Sequence, residues 1–200
     1  MDLQRELRKV VKLPRGLITS PQGIAIIAVL VGINVISRVY LQFLPNIKPV
    51  TSIIILTVLI CGWRFGTIVT VLTVCVSNMI LGWGIWSLGQ IIAWGFVATL
   101  TYFLAPILRR TPLIVTACYS ALCGYIFGFI ISQHAFIYGG LSGFLSYYLA
   151  GLWFDTMHAG GNFFFYLICA PVLGKIMVVQ RTRMIGYYNS HNMRRAKEGV

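Results

Sequence analysis

Long apolar runs broken by short polar intervals dominate this chain, and they leave lipid as the solvent in which it can fold. Of its 200 residues 58% are hydrophobic and only 10% are charged, too few solvating side chains to cover a water-soluble globule of this size. A hydrocarbon core of roughly 30 Å calls for about 20 apolar residues per helix, so about five to seven spans fit between the two basic ends.

The first span is expected from Gly23 to Leu44, closed by Pro45-Asn46, and it carries one charge, Arg38. Two short runs follow, Val50–Cys61 and Thr67–Leu81, separated by Gly62-Trp63-Arg64-Phe65-Gly66, a tight turn. A run like Val50–Cys61 makes only about 18 Å of helix, so it either recruits the Lys48 flank, sits beside protein rather than lipid, or forms a re-entrant hairpin. A fourth span is expected over Trp86–Leu108, ending at Arg109-Arg110-Thr111-Pro112, and a fifth over Leu113–Gln133. Phe136–Phe154 is apolar, aromatic and glycine-rich, which favours an interfacial or lid-like segment over another helix. The last span then starts near Met157 and ends near Val179. The expected fold is an all-α integral membrane protein, a six-transmembrane-helix bundle with N- and C-termini cytoplasmic. Its parts are a basic arm (1–20), a membrane domain (21–180) with outer loops 45–49, 81–87 and 136–156, and a basic tail (181–200).

The formal net charge of +12 would suggest nucleic acid in a soluble protein, but the charges sit at chain ends and in the polar breaks. With both ends inside, the cytoplasmic segments hold Arg5, Arg8, Lys9, Lys12, Arg15, Arg64, Arg109, Arg110, Lys175, Arg181, Arg183, Arg194, Arg195 and Lys197, leaving Arg38 and Lys48 near the outer face. That asymmetry obeys the positive-inside rule, and an odd span count would violate it. Cys61, Cys75, Cys118, Cys123 and Cys169 lie within apolar stretches, without metal-type spacing, and read as small buried hydrophobes; no metal site is expected. The polar, amphipathic first twenty residues argue against a cleaved signal peptide.

The basic half offers no glycine-rich phosphate loop and no paired carboxylates, so ATP hydrolysis is not expected of this chain. The outer half gathers Arg38, Gln42, Asn46, Lys48, Asn78, Trp83, Trp86, Gln90, Tyr147, Tyr148, Trp153, Asp155, His158 and Asn162, the mixture of aromatic walls and sparse polar groups that a ligand pocket needs. Arg38, roughly 9 Å below the boundary at 1.5 Å per residue, either snorkels or faces that pocket. Asp155, His158 and Asn162 stand three and four residues apart on one face at the start of the expected last helix, where Asp155 either caps the helix or lines the pocket. Trp83 and Trp86 read either as an interfacial belt or as a gate over a planar ligand. Ala25, Ala28 and Gly32 make a small-residue stripe that either packs internally or receives another membrane subunit. A channel or carrier would call for several deeper acids, and a membrane enzyme acting on a lipid or prenyl substrate for a companion to Asp155 and His158.

The basic arm, the stripe Ala28-x-x-x-Gly32, and the segments FLPNIKPVTSIIIL, SNMILGWGIWSLGQI and YYLAGLWFDTMHAGGNFFFYL together resemble the S components of energy-coupling factor (ECF) vitamin transporters, the cobalamin-type ones most. The resemblance covers roughly Gly23 to Val179. It implies six helices, a vitamin held under the outer loops, a first-helix face that meets the transmembrane T component, and two cytoplasmic ATPases using ATP and Mg. It implies a non-catalytic subunit with no intrinsic cofactor in a bacterial cell membrane, carrying cobalamin or another vitamin such as folate, pantothenate or riboflavin. Gly32 departs from the alanine usual at the second position of the first-helix motif.

Overall fold

The computed structural model describes residues 3–10 and 13–198, and among them every regular element is helical. A short helix α1 (Leu3–Arg8) precedes α2 (Pro21–Tyr40), α3 (Val50–Cys61), α4 (Trp63–Leu81), α5 (Ile85–Leu108), α6 (Leu113–Ser132), α7 (Phe136–Cys169) and α8 (Lys175–Glu198). Ser20 starts α2 by accepting a hydrogen bond from the Gly23 amide at 3.1 Å, with Pro21 in the first turn, where its missing N–H costs nothing.

Helices α2, α4, α5 and the continuous stretch Leu113–Ser190 are long and apolar enough to cross a membrane. That last stretch folds back on itself. Gly140 has φ 57° and ψ −148°, a backbone state suited to glycine, and the chain reverses there. Gly124 then lies against the Ala159 backbone and Gly128 against the Asp155 carboxylate, so α6 and α7 run antiparallel at close range.

All twelve residues of α3 are buried, as expected of a helix that is apolar on every side. It packs against α4, α5, α6, α7 and α2. The short apolar run is therefore surrounded by protein, and its length of about 18 Å needs no adjustment to the bilayer.

The connections between helices meet at two ends. At one end Arg109 donates to the Leu59 carbonyl (2.9 Å) and the Val10 carbonyl (3.4 Å), Arg8 donates to the Arg110 carbonyl (3.4 Å), Gly174 lies against Leu3 and Gly16 against Tyr188. The N-terminal arm, the α3–α4 and α5–α6 turns and the start of α8 thus share one end with most of the basic residues; Lys12 lies outside the described residues. At the other end Asn46 donates to the Phe154 carbonyl at 3.3 Å, joining the α2–α3 loop to α7.

Several boundaries differ from the sequence expectation. Residues 136–156 are not a loop: α6 runs through a 3-10 turn at Gln133–Ala135 into the first turn of α7, and helix resumes after Gly140. Only Gly140 is in a positive-φ state there, so the other glycines cost propensity without breaking the helix. The loop expected over 81–87 shrinks to 82–84, α2 ends at Tyr40 rather than Leu44, and Gly62 alone separates α3 from α4. The tail from 181 is helical to Glu198, since its Arg, Lys and Met residues sustain a helix after the apolar run ends.

Candidate functional site

A polar cluster occupies the interior of the bundle at the end opposite the chain termini. Its centre is Arg38, in the last turn of α2, only 4% exposed. Its Nη2 donates to Asn78 Oδ1 (3.1 Å) on α4 and to Gln90 Oε1 (3.0 Å) on α5. Asn78 Nδ2 in turn donates to Ser87 Oγ (2.8 Å) and Gln90 Oε1 (3.1 Å). Two amides from different helices thus hold one guanidinium edge, and its plane sits over the Trp94 ring at 5.2 Å.

From Trp94 the network continues inward. Its Nε1 donates to Thr51 Oγ1 (3.0 Å) on α3, and Thr51 Oγ1 shares a 3.1 Å hydrogen bond with His158 Nε2 on α7. Indole N–H is a donor only, so the Thr51 hydroxyl hydrogen can point at His158, which suits a neutral imidazole with its proton on Nδ1. Phe127 wedges between them, 4.7 Å from the Trp94 ring and 5.0 Å from that of His158. At the next residue of α3, Ser52 donates to the Asn162 carbonyl at 2.9 Å and lies 3.2 Å from Ser120 Oγ.

The cluster is incompletely satisfied. Arg38 Nη1, His158 Nδ1 and both side-chain amide atoms of Asn162 are buried without a hydrogen-bond partner. Each such group costs about 1–3 kcal/mol unless something else meets it. Among the described residues the one ion pair joins Lys9 to Glu6, so no carboxylate neutralises Arg38. Asp155 is 5% exposed and packed against Gly128, one turn before His158 on α7. Lys48, in the α2–α3 loop, lies close enough to Arg38 that burial and that neighbouring charge hold its ammonium below the ordinary lysine range.

Of the residues singled out in the sequence, the structure brings together Arg38, Asn78, Gln90, Lys48 and His158, with Asn162 buried one turn beyond His158. Asp155, His158 and Asn162 stand on one buried face, as their spacing requires, but in the middle of α7 rather than at a helix start. Capping by Asp155 is therefore excluded: no helix end lies there. Asn46 binds the Phe154 backbone. Gln42, Trp83, Trp86, Tyr147 and Trp153 are exposed and stand outside the cluster, Trp86 being 50% exposed and Trp153 63%. The aromatic walls foreseen at the loop tips are supplied instead by Trp94 and Phe127 from helix interiors. Trp94 falls one helical turn after Gln90, the spacing that places both on one face, and Thr51 opens the buried short helix; these were the available signals. Ala25 and Ala28 are exposed, and Gly32 meets nothing within 4 Å of a Cβ position, so the stripe faces outward rather than into the bundle.

Two hollows in the surface lie away from the cluster. One, about 380 Å³, lies on α7 beside Ile47 and is lined by Gly160, Gly161 and Phe164 among others. The other, about 540 Å³, lies between α2 and the start of α8. No group of His, Cys, Asp and Glu side chains among the described residues is placed to hold a metal ion.

Compared with protein-family models, curated proteins and solved structures, the chain matches none. Fold and cluster define it as a helical, multi-pass membrane protein with a charged, hydrogen-bonded interior at one end.

Proposed function

We propose that this chain is the vitamin-binding S component of an ECF-type importer in a bacterial cell membrane, with cobalamin as its first candidate ligand. Its termini face the cytoplasm, where most of its arginines and lysines collect. A transmembrane T component docks on the outward stripe of Ala25, Ala28 and Gly32, and two ATPase subunits supply the energy from ATP and Mg. The chain itself binds and presents the ligand without catalysing a reaction.

The observation that carries this reading is Arg38: a cation buried in a membrane helix, without a carboxylate, with Nη1 unpartnered and Nη2 held by two amides. Such a charge is costly in a bilayer and marks a ligand or ion pathway. A second reading within the same class is favoured by the same atoms. An anionic vitamin of the folate or pantothenate kind would bring an oxygen to Arg38 Nη1 and a counter-charge to Lys48.

The test is thermal unfolding of the purified protein in detergent with cobalamin, folate, pantothenate and riboflavin. A ligand at about 100 times its Kd raises stability by about 2.7 kcal/mol. Cobalamin copurifying as a red chromophore, with loss of the thermal shift in Arg38→Met, supports the first reading. A shift with folate or pantothenate alone selects the second. Indifference to every vitamin overturns both.

A further inference from the structure

We propose that the groove between α2 and α8 is a binding site for an anionic phospholipid of the leaflet on the basic side. Its wall is formed by Ala25, Val29 and Leu30 of α2, by Leu173 just before α8 and by Ile176 and Met177 in its first turn. The hollow of about 540 Å³ is within the size range of small-molecule sites, roughly 300–1,000 Å³. Its apolar length lies along the two helices, the direction of an acyl chain in a bilayer.

The polar groups of the groove, Gln22, Gln180, Arg183 and Tyr187, add a headgroup site. Gly16 lies against Tyr188, so the beginning of α2 and this part of α8 share a level, at the end of the bundle where the basic residues collect. Gln180, Arg183 and Tyr187 are three and four residues apart, on one face of α8. Arg183 is exposed and makes no hydrogen bond or ion pair, and Gln22 Oε1 is a buried acceptor with no donor. A phosphodiester answers the first, and a headgroup hydroxyl, as in a phosphatidylglycerol, answers the second; a choline headgroup brings a cation to the arginine and no hydroxyl.

The groove and the small-residue stripe are different faces of α2. At about 100° per residue, Gln22, Ala25, Ile26 and Val29 centre one face, while Ala28 and Gly32 stand roughly a quarter turn away. The two share Ala25 as their border. Lipid would therefore flank a protein docked on the stripe without lying beneath it.

Native mass spectrometry of the protein released from micelles containing dioleoyl phosphatidylglycerol or dioleoyl phosphatidylcholine tests this. The wild-type chain should retain phosphatidylglycerol about five-fold more than phosphatidylcholine, the factor one basic side chain contributes at an anionic surface. Arg183→Gln should bring the two lipids level, and Val29→Trp, at an exposed position, should remove both from the groove. Equal retention by the wild type, an unchanged preference in Arg183→Gln, or full retention in Val29→Trp would each overturn the proposal. So would a dimer of this chain, dispersed by Val29→Trp, appearing in place of lipid. Because the readout is lipid alone, its failure is separable from failure of the vitamin reading, which is read at the opposite end.

Discussion

Substituting Gly124 tests how the polar cluster is held in place. A Cβ at this position would lie 2.8 Å from the Ala159 nitrogen, 2.9 Å from its Cα and 3.1 Å from the His158 carbonyl carbon, all backbone atoms that cannot rotate aside. Ordinary contact begins near 3.4 Å, so α7 must retreat from α6 by about 0.6 Å in Gly124→Ala, the difference between those two distances. His158 is carried on that segment. Its 3.1 Å bond to Thr51 would stretch to about 3.7 Å, beyond hydrogen-bonding reach. Overpacking costs about 1–3 kcal/mol and the lost bond about 1 kcal/mol, while alanine recovers up to about 1 kcal/mol of helix propensity. The net loss is about 1–3 kcal/mol, or about 3–10 °C in the unfolding midpoint for a chain of this length.

The assay is thermal unfolding in detergent beside Gly160→Ala, a helical glycine whose added Cβ meets nothing within 4 Å. That variant should be neutral or stabilised by up to about 1 kcal/mol. If Gly124→Ala proves as stable as Gly160→Ala, the close α6–α7 register is wrong, and with it the placement of His158 beside Thr51.

Thr51→Val removes the hydroxyl shared by Trp94 and His158 at nearly unchanged volume and leaves two buried groups unpartnered, so it should destabilise the protein by about 2–4 kcal/mol; an unchanged unfolding midpoint would dissolve the network. Arg38→Met loses two charge-assisted bonds but also a buried charge, terms of similar size and opposite sign; its ligand-free unfolding midpoint should therefore move far less than its ligand affinity, which isothermal titration would resolve. Lys48, held below the ordinary lysine range, aids an anionic ligand only while protonated, so affinity should fall as pH rises through its lowered pKa, and Lys48→Met should flatten that profile. Ala28→Leu should abolish association with a T component, followed by copurification, and leave vitamin affinity unchanged; loss of both would return the stripe to internal packing.

The membrane fold was legible because it rests on length and charge. Apolar runs mark where most of the helices lie, and arginines mark one end, whatever the helices touch. The polar cluster was legible in part for a related reason: Arg38, Asn78 and Gln90 fall near helix ends at the same side, so topology alone brings them level. Which side chains complete it was not legible. Trp94 and Phe127 sit in apolar stretches where either orientation satisfies the pattern, and only packing turns them inward. The hairpin at Gly139–Gly140 was obscured because glycines there, at Gly143 and at Gly151 all lower helix propensity, yet only Gly140 needs a positive φ. The end of the last helix was missed because hydropathy reports where lipid stops, whereas a helix stops only where its backbone loses partners.

The polar interior at this end follows from one short helix. Helix α3 has twelve residues where α2 has twenty, a shortfall of about 12 Å at 1.5 Å per residue. At the basic end α3 and α4 are level, since Gly62 alone joins them, so the nineteen-residue α4 outruns α3 at the opposite end, where Arg38 of α2 meets its Asn78. The missing length therefore falls at the opposite end, beneath the loop that carries Lys48. A full-length apolar helix would bring there the aliphatic side chains that make up most of α3. Stopping at Val50 instead leaves longer neighbours to meet one another there through Arg38, Asn78 and Gln90, above the Trp94–Thr51–His158 contacts of its first turn, at the cost of buried atoms without partners. Extending α3 would replace those polar contacts with aliphatic packing, so it is the early end of α3 that keeps the interior polar there, and the proposed binding role rests on that one boundary.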